Sequence, residues 1–340
     1  MPLELVKLKF TSPLHLSRGR QDYSEGFRYL YSDTLKSAIF VAYTQLSDAA
    51  IDESAGKAFF DAFNISSAFP FYKDEFFFPK PLLSPFGLAP DVNDSCGILP
   101  KLVKRVAWYG KSYFEKWLRG EKYLLRGPEL FEDDKTVWLT DLPKDNKPFF
   151  LTETEQHVSL PRWYENASGE STPYYFERIY FQEEAGLFFL LDCENDFFEK
   201  KLKPALELLG DNGIGSDRTT GNGQFVWEKE TLSLEIPAKT DTTHCIALGL
   251  YCPDRAEISE EILNNSAYRL IRRGGYVASP EDDQYTTLRK KTVSMFVEGS
   301  VFQIGEVPML GKLHDLKPLA MNGHPVWRDG RGIFLNSKSL

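Results

Sequence analysis

The chain opens on an alternation of apolar and polar positions. Leu3, Leu5, Leu8 and Phe10 are separated by Glu4, Lys7 and Lys9, which predicts a strand over residues 3 to 10. Val6 interrupts the alternation, as in a strand covered on both faces, and Pro13 ends the element. A polar loop, HLSRGRQDYSEG, follows. Leu35, Ile39, Ala42 and Leu46 then recur at helical spacing, predicting a helix from about Tyr31 to Leu46 with Ser32 as N-cap and Asp33 in its first turn. Strand, basic glycine-containing loop and helix form the first half of a βαβ-type unit.

Residues 49 to 100 fit regular structure poorly. The run FPFYKDEFFFPKPLLSPFGLAP is rich in proline, which removes backbone donors and restricts the preceding residue, so it reads as an insertion with extended pieces and a hairpin arm. Residues 174 to 192 predict two strands, an alternating YYFERIYF and a continuous apolar AGLFFLLD suited to a central strand. A helix over 195 to 209 follows, in which Pro204 makes a kink or starts a second turn, closed by Gly210 at C′. Alternation returns from Phe225 to Ile236. Strand, helix, strand, strand, helix, strand is the order of a ferredoxin-like or RRM-like unit with a large insertion ahead of its middle strands. A second unit follows: a strand in HCIALGLYC (244 to 252), a mixed stretch ending in the basic run RLIRR, the turn GGY, more strand over 284 to 304, and a turn-rich tail.

Composition narrows the function classes. Of 340 residues, 42% are hydrophobic and 26% charged, which excludes a disordered, collagen-like or coiled-coil chain. Lys and Arg total 40 against 49 Asp and Glu, for a net charge of -9. Nucleic-acid binders often carry a basic excess, so a site of that kind here has to be a local patch. One such patch is residues 101 to 126, where Lys101, Lys104, Arg105, Lys111, Lys116, Arg119, Lys122 and Arg126 face only Glu115 and Glu121. It reads equally as a solvated helix face and as a surface that tracks a phosphate backbone. Cys96, Cys193, Cys245 and Cys252 make no CxxC pair and, with five scattered histidines, no zinc pattern. Four cysteines in a chain of this length suggest reduced thiols and a cytoplasmic location. No signal-peptide pattern or membrane span is legible, so no membrane partner is expected.

The densest chemical signal is GDNGIGSDRTTGNGQF, residues 210 to 225. No Gly-Lys-Ser/Thr makes it a phosphate-binding loop of the Walker type, and it leads from helix to strand, the reverse of a dinucleotide fingerprint. It offers backbone N–H groups at Gly213, Gly215, Gly221 and Gly223, hydroxyls at Ser216, Thr219 and Thr220, and Arg218, a set suited to phosphate and ribose. The alternative is a mobile hairpin that merely turns the chain. Asp217 is read as a local turn bond rather than a metal ligand. His15, beside Arg18 and Arg20, is the histidine best placed for acid–base work, although a histidine in a polar loop is more often a hydrogen bonder. Trp108, Tyr109, Trp163 and Tyr164 are candidates to stack bases.

Several segments together resemble one family. GIGSDRTTGNGQF is similar to the C-terminal glycine-rich loop of the RAMP proteins of CRISPR systems. SPLHLSRGRQDY with YSDTLKSAIF resembles the first strand and helix of the fourth Csm subunit of type III-A systems. FFPKPLL with PKLVKRVAWYG, which contains Lys101, and GKLHDLKP with HPVWRDGRGIFL resemble further segments of that subunit, as does LPRWYENASGES, which carries Arg162. Asn222 stands where that family commonly has a lysine.

The resemblance implies an α+β fold of two tandem ferredoxin-like (RRM-like) domains: residues 1–230, with the glycine-rich loop and a large insertion at about 49–155, and residues 231–340. It implies a non-catalytic subunit, without cofactor, that holds the 5′ repeat-derived tag of the crRNA. Its expected partners are the large polymerase-like subunit and the backbone RAMP subunit, and a thumb-like hairpin is expected to displace a base at the tag–guide boundary. His15, Arg18, Ser32, Lys101, Arg162, Gly213, Gly215, Ser216, Arg218, Thr219, Gly221 and Gly223 then become the RNA-binding candidates. The rival reading is a metal-independent endoribonuclease that processes crRNA precursors with His15. A protein-only interaction module is a third.

Overall fold

In the computed structural model the residues described are 2–19, 22–26, 28–47, 51–83, 86–88, 98–133, 136–142, 149–159, 172–277, 285 and 287–338. The predicted opening strand spans Pro2–Phe10 and lies one strand in from the edge of a nine-stranded sheet. It pairs antiparallel with Ala185–Cys193 on one side and with Phe225–Ser233 on the other. Beyond Ala185–Cys193 lie Phe63–Ile65 and Phe69–Tyr72, both antiparallel to it. Numbered by sequence, these strands stand in the order 4-1-3-2, with the helices Ser32–Gln45 and Lys203–Asn212 in the two connections. That is the βαββαβ arrangement of a ferredoxin-like unit.

The reason for this order is burial. AGLFFLLDC is buried from Ala185 to Leu191 because both of its faces are covered, as its unbroken apolar run requires. Leu35, Ile39 and Ala42 of the first helix and Ala205, Leu206 and Leu209 of the later one join Leu5 and Leu8 in one core. A leucine-to-alanine change at a site of this kind costs about 2–5 kcal/mol.

The middle strands differ from the sequence expectation. Thr172–Phe181 alternates as predicted, but it pairs residue for residue with Phe150–Ser159 in a separate two-stranded ribbon. The second-strand position is filled from within residues 49–100, the stretch read as an irregular insertion. There Phe69–Tyr72 and Glu75–Pro79 form an antiparallel pair within the large sheet. Aromatic burial outweighs the missing proline donors: Phe76, Phe77 and Phe78 are all buried, Phe78 stacks on Phe114 at 4.3 Å and Phe77 meets Trp138 edge-on at 4.8 Å. Val106–Gly110, Thr136–Leu139 and Leu130–Asp133 continue the sheet to its far edge.

The later part of the chain builds smaller sheets. His244–Ala247 lies between Val301–Gln303 and Phe334–Ser337, and two ribbons pair Leu270–Arg273 with Val293–Phe296 and Leu313–Asp315 with Trp327–Asp329. This part docks on the N-terminus of the first helix. The Ser32 hydroxyl accepts the Leu250 N–H at 3.0 Å, and the Ser67 N–H donates to the Leu248 carbonyl at 2.8 Å. Ser32 is the first helical residue rather than the N-cap, which is Tyr31. Its own N–H is satisfied by the Ser67 hydroxyl at 2.8 Å.

No helix among the described residues is long and apolar enough to cross a membrane.

Candidate nucleic-acid interface

The later sheet helix runs to Asn212, three residues beyond its predicted end at 209, and is capped by Gly213 in place of Gly210. Gly210 has another role: a Cβ there would press on the Phe225 carbonyl oxygen, so its absence lets helix and strand close. From Gly213 the chain makes a compact loop. Gly223 closes its base: its carbonyl accepts the Ile214 N–H at 2.9 Å, and its N–H donates to the Pro13 carbonyl at 2.8 Å. Its φ of +75° is a left-handed conformation, and a Cβ would overlap the Ile214 carbonyl oxygen. Gly215 meets the same two constraints beside the His15 carbonyl, which accepts the Ser216 N–H at 3.0 Å.

Asp217 takes a left-handed φ of +62° and its carbonyl accepts the Thr220 N–H at 3.2 Å, the turn bond expected for it. Asn222 is buried under this turn, donating to the Thr220 hydroxyl at 2.7 Å and accepting from Arg178 at 3.2 Å. The loop is therefore a folded structure laid on the Pro13–His15 segment and on the Thr172–Phe181 strand. A mobile hairpin does not describe it. At its tip Arg218, Thr219, Thr220 and Gly221 are exposed. A guanidinium, the Thr219 hydroxyl and a glycine open to solvent stand on a base fixed by main-chain hydrogen bonds, while the Thr220 hydroxyl is held within the turn, a form that suits single-stranded nucleic acid.

His15 lies beneath the loop and is 1% exposed. Its Nδ1 donates to the Glu177 carbonyl at 2.6 Å and its ring packs on Phe176 with centroids 4.5 Å apart. Burial lowers its pKa, outweighing the nearby Glu177 carbonyl and carboxylate, so the ring is held neutral. The imidazole is thus covered and packs as part of the scaffold beneath the loop.

The remaining candidates are dispersed. Ser32 and the first helix's N-terminus are closed off by Ser67 and Leu250, so that helix end is not open to a phosphate. Arg18 lies in the short strand Ser17–Gly19, next to His15 in sequence. Lys101 is exposed on the helix Ile98–Arg105. In the same basic stretch Arg105 pairs with Glu132 at 2.7 Å and Arg119 with Glu121 and Glu235. Trp108 and Tyr109 are buried in the aromatic core, which removes them as base-stacking candidates. Arg162, Trp163 and Tyr164 fall outside the described residues.

Sequence reasoning missed what braces the loop: Pro13 and Arg178 from outside it, and Asn222 from within, a residue the resemblance marked only as a departure from the family. Asn222 could be noticed as a polar residue flanked by two glycines. Arg178 and Pro13 become meaningful only when distant segments meet.

A second cluster joins the two parts of the chain. Asp33, fully buried, accepts from Arg273 through both carboxylate oxygens at 2.9 Å and from Arg328 at 2.7 Å. Burial alone would raise its pKa, but the two guanidinium groups override that and hold it at about 2. One turn on, Lys36 pairs with the buried Asp329 at 2.6 Å and donates to the Phe63 carbonyl at 2.6 Å. Among the described residues no group of three or more His, Cys, Asp or Glu side chains is placed to hold a metal ion.

Comparison with known proteins agrees with this geometry. The RAMP superfamily model matches residues 7–226, and a model described as the CRISPR Csm4 C-terminal domain matches residues 240–337. A Csm4 protein of Thermococcus onnurineus is 28% identical over 273 residues, covering 79% of this chain and 80% of the relative. One of Methanocaldococcus jannaschii is 24% identical over 94% of this chain and 89% of the relative. Among solved structures, a Csm3–Csm4 subcomplex of a type III-A interference complex superposes with a TM-score of 0.65 at 21% identity, covering 100% of each chain. A Csm1–Csm4 cassette in complex with cA4 gives 0.61 at 19% identity, covering 99% of this chain and 98% of that one. The chain belongs to the RAMP superfamily and, within it, is a Csm4-type subunit of type III CRISPR systems.

Proposed function

We propose that this chain is a non-catalytic RNA-binding scaffold subunit of a type III-A effector complex, holding the 5′ repeat-derived tag of the crRNA on its glycine loop. The observation that carries the reading is the contrast between the loop's locked base and its exposed Arg218–Gly221 tip. Preformed main-chain geometry lowers the ordering cost of binding, and sequence is left to base pairing, as in other guided effectors. Relatives of this fold are seen with Csm1 and with Csm3. The corresponding partners here are the large polymerase-like subunit and the backbone RAMP subunit. The ribbon of Phe150–Ser159 and Thr172–Phe181, which projects from the glycine loop's support, is the segment we assign to the thumb-like hairpin.

The buried, neutral His15 supports a binding role over cleavage, because a general acid or base has to reach its substrate. The test uses purified protein with repeat RNA in chelator. We expect bound, uncut RNA, and Arg218→Ala should weaken binding by about 1–3 kcal/mol. Unchanged affinity would refute the site, and cleavage abolished by His15→Ala would establish the ribonuclease instead.

A further inference from the structure

The basic run RLIRR and the later LRKK are 15 residues or more apart in sequence, yet the fold lays them side by side. Leu270–Arg273 pairs antiparallel with Val293–Phe296, and a bridge joins Tyr276 to Arg289. Arg269, Arg272, Arg273, Arg289, Lys290 and Lys291 thus share one ribbon on a chain whose net charge is -9. No acid occurs in residues 262–277 or 285–297; Glu281, Asp282 and Asp283 of the connection fall outside the described residues.

The partners of these cations differ. Arg273 is spent on Asp33. Arg269, Arg272, Arg289 and Lys291 are exposed. Tyr268 is 40% exposed beside them, and the Arg289 guanidinium lies over the Tyr276 ring at 5.2 Å. Lys290 sits behind the exposed set. Burial, with Arg328 and Arg273 nearby, lowers its pKa to about 8 against the single carboxylate of Asp33. The Arg328 Nε, buried, has no hydrogen-bond partner among the described residues.

We infer that this ribbon is a second phosphate-binding surface for single-stranded RNA, separate from the glycine loop and tied to its support through residues 28–31. The inference rests on the RNA-binding reading of the loop and extends it to the other part of the chain. Cations interleaved with tyrosines suit a strand with splayed bases, where stacking and backbone contact act together. An acidic protein surface would use the charges and leave the rings idle. Arg28 pairs with Glu177, whose carbonyl holds His15, and Tyr31 lies under the Arg273 guanidinium at 4.5 Å. These buried contacts tie the loop's support to the ribbon through one short segment of chain.

The test compares three full-length variants with the parent: Arg269→Ala/Arg272→Ala/Lys291→Ala on the ribbon, Arg218→Ala on the loop, and Lys57→Ala/Lys200→Ala/Lys239→Ala as a control with the same loss of charge. Binding of a labelled single-stranded RNA is titrated against salt, with poly-glutamate as the alternative ligand and thermal melting as the check on folding. The ribbon variant should melt like the parent. Its log–log salt slope should be shallower by about 2, from three lost contacts at roughly 0.7 each. The control should keep the parental slope. A parental slope in a folded ribbon variant, with Arg218→Ala still weakened, would overturn this inference and leave the loop reading intact; parental binding in both would overturn both. Poly-glutamate bound as tightly as RNA, and lost in the ribbon variant, would make the surface a protein-docking site. If the triple variant melts early, single Arg272→Ala and Lys291→Ala variants decide the matter in its place: each should show a slope shallower by about 0.7, and a parental slope in both would overturn the inference.

Discussion

Arg218 and the pair Arg273 and Arg328 are the same residue type put to opposite uses. Arg218 stands in solvent at the tip of a loop whose glycines and carbonyls do the structural work. Arg273 and Arg328 are drawn inside and held by Asp33. The difference teaches how a charged side chain is to be read. A guanidinium with a buried carboxylate partner holds the fold, and one raised on a rigid base with its fork open is available to a ligand. The basic residues of this chain count for binding only where the structure has left them without such a partner.

The strongest way to break that contrast is Asp33→Asn. It leaves two buried guanidinium groups without their counter-charge, and urea unfolding should show a loss of about 3–5 kcal/mol. The pH dependence sharpens the point. The folded pKa of Asp33 lies below its ordinary value near 4, so its contribution is complete above that pH and disappears as the pH falls toward about 2. The variant should lack this acid limb, and a variant that retains it would place the acid sensitivity elsewhere. Next in size is Gly223→Ala. The left-handed backbone and the Ile214 carbonyl both oppose a side chain, so stability should fall by about 2 kcal/mol or more and the loop's amides should exchange faster. Normal protection in the loop would mean that its base is held by something other than this geometry. Smallest is the effect of Arg218→Ala on folding, expected within about 0.5 kcal/mol of the parent. A larger loss would class Arg218 with the buried arginines.

Much of the first part of the fold was legible in the sequence, because its signals are local. The alternation of Leu3 to Phe10, the helical spacing of Leu35, Ile39 and Ala42, and the unbroken apolar run at 185–191 each reflect a face that has to be covered. Partner choice was not legible. Alternation over 174–181 identifies a strand, yet nothing within it says that it pairs with 150–159 and not with the central sheet. Residues 63–79 were hidden by their prolines, and only the aromatic core they enter explains why strands form there. Ser32 carried an N-cap signal, but a hydroxyl that caps nothing and instead receives Leu250 is a long-range fact. The glycine loop was found from composition alone. Its stiffness was not, since Pro13 and Arg178 act on it from two separate segments and Asn222 braces it from within.

If the tip of the glycine loop touches RNA while its base serves the fold, a photo-crosslinking residue at Thr219 should report it in the assembled complex with its crRNA. The same probe at Lys200, exposed on a helical turn, is the reference. Thr219 should crosslink to nucleotides of the repeat-derived tag, and Lys200 should not. Crosslinks from Thr219 only to protein, or equal RNA yields from both positions, would contradict this division between tip and base.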